Sequence, residues 1–198
     1  MDWAERKYHS LYRELDFERK GLFHNLRELL GDKAVLYPGC SFHITPSFYF
    51  SRVTYADKSE EAVRFFQQRE AVARIIQREK TYKKACHFEF VQATFGKDHL
   101  PFKREFELLI SLLAGNVAEH FLPFLKPGAY ILTSNHFSGA KYFEGEQFKL
   151  LYTISANRKG QYRLSPSQEQ KPLRNRLIKD NQKFRFDDRQ TYFVYKAE

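Results

Sequence analysis

The chain has 198 residues, of which 42% are hydrophobic and 29% charged, enough for one ordinary core and too apolar for a disordered chain. Its formal charge of +9 points to anionic rather than cationic partners. Two cysteines, Cys40 and Cys86, stand in no C-x-x-C pair, and no Cys/His cluster has metal-ligand spacing, so reduced thiols and no metal site are expected. The N-terminus MDWAERKYHS lacks the apolar stretch of a signal peptide, and no apolar run approaches the roughly 20 residues of a spanning helix. A soluble, cytoplasmic protein without membrane association is therefore expected, and its 20 Phe and 12 Tyr predict an aromatic-rich core.

In chain order, Tyr8, Leu11, Tyr12, Leu15, Leu22, Leu26, Leu29 and Leu30 recur at helical spacing and predict one or two amphipathic helices, stopped at Gly31. AVLY, closed by Pro38 and Gly39, reads as a buried strand entering a turn. Thr45-Pro46 reads as a helix start. RVTYAD is a second strand ending in Asp57, and Ser59 with Glu60 and Glu61 opens a helix over 59–84. HFEFVQAT and FELLISLL are the third and fourth strands. A helix over Asn116–Leu125, a Lys126-Pro127-Gly128 turn and a fifth strand, AYILTSNH, follow. FKLLYTI and QYRLS form a hairpin, a polar basic stretch comes next, and QTYFVYK closes the chain as a strand.

Strands alternating with helices, and apolar along most of their length, predict an α/β fold: a Rossmann-like, doubly wound, mostly parallel sheet with N-terminal helices and antiparallel C-terminal strands. A single domain is expected, with a helical segment at 1–31, the Rossmann-like core at 32–155, and a basic hairpin, loop and closing strand at 156–198.

VLYPGC, then RVTYAD with its acid 18 positions after Gly39, then FELLISLLAG, NVAEHFLPFLKPGAYILTSNH and a closing antiparallel pair resemble the class I S-adenosylmethionine-dependent methyltransferases over about residues 30–155. That resemblance implies S-adenosylmethionine as cofactor and methyl transfer as activity. It also implies a first loop of the pattern G-x-G-x-G, in which this chain keeps Gly39 and places Ser41 and His43 at the other two positions. Two readings stay open for VLYPGCSFHITP. The loop still holds cofactor, or its pocket is filled by side chains and only the scaffold persists.

On the first reading, Tyr37, Gly39, Ser41, Asp57, Lys58, Thr94, Phe95 and Ser111 are the cofactor-binding candidates, with Asp57 placed to accept from ribose hydroxyls and His43, Thr45 and Ser47 forming a polar cluster. For Asp57 the alternative is an acid complementing a helix start. His43 and His136 are candidate general bases, or histidines bonded to backbone. Asn116 and Asn135 are candidate substrate contacts, Asn116 alternatively a helix cap. The Asn/Asp-Pro-Pro-aromatic motif of exocyclic-amine methylation is missing after the fourth strand.

Residues 158–189 carry ten Lys/Arg against four acids. This stretch suits either a solvated segment or an anion-binding surface. The chain is accordingly expected to be a methyltransferase acting on a small molecule or nucleic acid. The alternative is a non-catalytic methyltransferase-like module that binds nucleic acid or an acidic partner through its basic stretch.

Overall fold

The computed structural model describes residues 2–96, 100–112, 118–134, 136–157, 161–167, 176–180, 183–187 and 189–198. Ten strands are built from these residues: β1 (Ala34–Pro38), β2 (Arg52–Asp57), β3 (His87–Gln92), β4 (Phe106–Ser111), β5 (Leu125–Ser134), β6 (Phe148–Ala156), β7 (Tyr162–Pro166), β8 (Arg176–Asp180), β9 (Lys183–Asp187) and β10 (Thr191–Ala197). Eight of them form one sheet in the order β3-β2-β1-β4-β5-β10-β6-β7, and β8 with β9 forms a separate ribbon. Strands β1 to β5 run parallel to one another. β10 is antiparallel to both β5 and β6, and β7 is antiparallel to β6.

The two faces of the sheet follow the two-residue period of its strands. Val35, Tyr37, Leu108, Ile110 and Leu132 join one buried cluster, while their neighbours Leu36, Leu109 and Ile131 join the other. The first face is covered by α1 (Trp3–Tyr8), a π-helical turn at His9–Arg13, α2 (Lys20–Leu30), α3 (Glu60–Gln67) and α4 (Arg69–Glu79). Across the second face lie α5 (Ala118–Phe121) and the short turns Leu122–Phe124 and His136–Phe143. Connections on both faces make the sheet doubly wound.

Several elements depart from the sequence expectation. The helix expected over 59–84 breaks at Gln68, whose ψ of 56° leaves the helical region, and α4 ends at Glu79. Thr45-Pro46 opens only a four-residue 3₁₀ turn, Thr45–Phe48. Phe48, Tyr49 and Phe50 are all buried, and three consecutive aromatic rings cannot share one helical face, so burial stops the helix. Within the helix expected at 116–125, the described residues form one turn of α-helix followed by a 3₁₀ turn containing Pro123. Lys126-Pro127-Gly128 lies inside β5 as a bulge, because Phe106 pairs with Leu125 while Leu108 pairs with Tyr130. The basic stretch expected to be a loop contains the β8–β9 ribbon.

No helix among the described residues is long and apolar enough to cross a membrane. Cys40 and Cys86 are both free thiols.

Candidate functional site

The carboxyl ends of β1, β2 and β4 meet where the strand order reverses, the place at which open α/β sheets bind ligands. Gly39, in the left-handed region at φ 63°, turns the chain out of β1, and its amide donates to Ala56 O at 2.8 Å. Ser41 also takes a left-handed backbone, φ 51°. A side chain there costs roughly 1–2 kcal/mol relative to glycine, so two of the three glycine positions keep a glycine-type conformation although one is serine.

Asp57 holds that conformation in place. Its Oδ2 accepts from the Ser41 amide at 2.8 Å and its Oδ1 from the Ser59 amide at 2.9 Å. Ser59 itself caps α3 by accepting from the Ala62 amide. The carboxylate thus joins the β1 loop to the start of α3, as the helix-start reading of Asp57 expects. An ionised carboxylate offers about four acceptor sites, so two remain for further donors. Gly39, Ser41 and Asp57 are all partly exposed at this edge.

His43 does not stand there as a base. Its ring is 2% exposed and stacks on Tyr12 at 4.8 Å and on Phe17 at 6.2 Å. Nε2 lies 3.1 Å from Glu18 O, and a carbonyl only accepts, so Nε2 carries the proton and Nδ1 accepts from Tyr37 OH at 3.2 Å. Burial, and then the nearby Arg19 charge, push its pKa down to about 3. A neutral imidazole with both nitrogens engaged takes no proton from a substrate, which overturns the expectation for His43.

Tyr37 is corrected with it, since its phenol is buried against His43 instead of lying open to a cofactor. The expected polar cluster also disperses into the core. Thr45 Oγ1 pairs with Tyr8 OH at 2.9 Å, and Ser47 Oγ pairs with Tyr55 OH at 2.6 Å.

The remaining candidates are spread around the same edge. Lys58 is exposed beside Asp57, and Thr94 and Phe95 are half-buried in the turn after β3, with the Phe95 ring edge-on to Phe121 at 4.9 Å. Ser111 is buried at the end of β4, opposite Thr133 of β5. Asn116 and Asn135 lie outside the described residues, and of His136 only the backbone is described, opening the turn after β5. Among the described residues no group of three or more His, Cys, Asp or Glu is arranged to hold a metal ion.

Solved structures share this fold. A SAM-dependent methyltransferase from Thermotoga maritima matches over 98% of this chain and 95% of its own, with a TM-score of 0.57 at 9% identity. N-methyltransferase NodS from Bradyrhizobium japonicum matches over 92% and 96%, with a TM-score of 0.52 at 12% identity. The chain has the class I methyltransferase fold. A third match, to an S-adenosyl-L-methionine-dependent methyltransferase from Methanococcus maripaludis, spans 66% of this chain and 61% of that one at a TM-score of 0.47 and 14% identity, too loose to carry an argument. No protein-family model matches the sequence, and no curated protein matches it.

On this methyltransferase fold the sequence reading missed one participant. Tyr12, from the π-helical turn, stacks on His43 and stands edge-on to Phe42 at 5.6 Å. A single π-turn inserts an extra residue and re-aims the side chains after it. The only sequence signal was the Tyr8–Tyr12 spacing, which marks a helix face and says nothing of what that face touches.

Proposed function

We propose that the chain is an S-adenosylmethionine-dependent methyltransferase. The observation that carries this reading is the β1 loop: Ser41 is held in a glycine-type backbone by the Asp57 carboxylate, which retains acceptor capacity at a partly exposed edge. Backbone in an unfavoured conformation persists where its surroundings fix it, and such sites concentrate around ligands. The residues present fit the group. Gly39 and Ser41 expose backbone for the aminoacyl portion, Asp57 offers acceptors for a ribose diol, and the His43 imidazole is drawn into the aromatic layer rather than left on the loop.

When bound, the sulfonium supplies an activated methyl group. The chain's own contribution is alignment, since holding two reactants in a near-attack geometry can supply several kcal/mol of the barrier. With His43 sequestered, an acceptor that reacts without base assistance from this loop fits best, such as an amine already neutral or a thiolate.

Calorimetric titration with S-adenosylmethionine and with its demethylated product tests the reading. Micromolar affinity and a raised melting temperature are expected. Asp57→Asn, which keeps one acceptor oxygen for the loop, should weaken binding by about tenfold or more. No heat and no thermal shift at about 1 mM of either ligand would reject the proposal.

A further inference from the structure

The β8–β9 ribbon stands outside the eight-stranded sheet. Lys179 and Lys183 are exposed, and Phe184 is 50% exposed, the most open of the large hydrophobic side chains among the described residues. Lys179 and Phe184 are directly opposite one another in the register, so they share one face of the ribbon, with the ammonium 6.0 Å from the ring centroid.

On the helical side of the molecule, several cations meet acids. Lys7 pairs with Glu61, Arg13 and Lys20 with Glu79, Arg74 with Asp2, and Arg78 with Glu5. Among the described residues neither Lys179 nor Lys183 has such a partner. Arg176, Lys179, Lys183 and Arg185 outnumber Asp180 and Asp187 within the ribbon, inside the 158–189 stretch of ten cations and four acids.

We propose that this ribbon docks single-stranded nucleic acid. Exposed ammonium groups suit any polyanion, but an open phenyl ring beside them suits one whose charges alternate with flat apolar faces. Bases stack on aromatic side chains while the flanking phosphates meet the cations. An acidic peptide would use the lysines and leave Phe184 unemployed, and a duplex keeps its bases stacked on one another, out of reach of the ring. The inference is independent of the cofactor reading, because the ribbon lies outside the sheet whose strand ends form that site.

Fluorescence anisotropy with short labelled oligouridylate and oligothymidylate, on the full chain, is the test. Neutralising about four phosphates predicts a loss of affinity on the order of fiftyfold between about 50 and 200 mM salt. Phe184→Ala should cost about tenfold at either salt concentration, and Lys179→Ala with Lys183→Ala should lower both affinity and salt slope. Circular dichroism and the melting temperature of each variant check that it is folded. Competition on the unaltered protein needs no variant, and polyglutamate at equal charge should displace the oligonucleotide poorly. Three results would each overturn the proposal: no binding at low salt, displacement by polyglutamate as strong as by unlabelled oligonucleotide, or tighter binding of a duplex than of either single strand.

Discussion

On the face beneath the N-terminal segment, buried tyrosines, hydroxyls and one histidine are joined by hydrogen bonds: Tyr8 to Thr45, Tyr55 to Ser47 and to Ile44 O, Tyr37 to His43, and His43 to Glu18 O. On the opposite face phenyl rings meet edge to face instead, Phe95 with Phe121, Phe102 with Phe106 and Phe124, and Phe143 with Phe148. Both faces exclude water, but they exclude it by different means. Apolar contact is proportional to area and tolerant of small shifts, whereas a buried polar group needs a partner in one place. The hydrogen-bonded face is the one that carries the β1 loop, so the wiring that specifies the core also fixes the backbone of the candidate site.

The largest effect should come from the apolar face. Phe121 is fully buried, and Phe121→Ala should cost about 3–5 kcal/mol in urea unfolding, with no change in how stability depends on pH. On the polar face, Tyr55→Phe should cost about 1–3 kcal/mol, because it removes the partner of the buried Ser47 Oγ and leaves Ile44 O only the Ser47 amide, without changing shape. Equal costs for a conservative Tyr→Phe and for a ring deletion would break the distinction between the faces.

Acid sharpens it further. The His43 pKa is lowered in the folded protein from 6.5 to about 3, so the unfolded chain binds the extra proton between those values. This contribution is complete above pH 6.5 and is lost as the pH falls toward 3, with a slope of up to about 1.4 kcal/mol per pH unit. Urea titrations of wild type and His43→Gln across that window should show the slope shrinking in the variant, and identical slopes would assign acid sensitivity elsewhere. The smallest effect belongs to Ser41→Gly. Relief of the left-handed backbone and the greater freedom of glycine in the unfolded chain nearly offset, giving a change within about 1 kcal/mol on the stabilising side. Cofactor affinity measured on the same variant should be unchanged or higher.

The strands were the most legible part of the sequence. β1, β2, β4 and β10 are short apolar runs bounded by turn residues, and burial on two faces leaves such runs few alternatives. Less legible was whatever depends on partners distant in sequence. Thr45-Pro46 carries an ordinary helix-start signal, yet the burial of Phe48, Tyr49 and Phe50 overrides it. The ribbon was hidden by its charge, although Leu177-Ile178 and the alternation Phe184-Arg185-Phe186 around Asp180-Asn181 could have suggested two short strands. Gly39 and Asp57 were found at one edge because the fold resemblance orders them. His43 was misread because nothing near it in sequence reveals that Glu18 O, 25 residues earlier, and Tyr12, earlier still, enclose it.

The place of β10 has a consequence for how the molecule assembles. It follows β6 and β7 in the chain but lies between β5 and β6, so the β6–β7 hairpin is joined to the parallel strands only through β10. Without β10 in place, the edges of β5 and β6 are open as templates for pairing with other copies. Loss of this one strand, more than a change of packing elsewhere in the sheet, is therefore expected to divide the sheet in two and favour self-association.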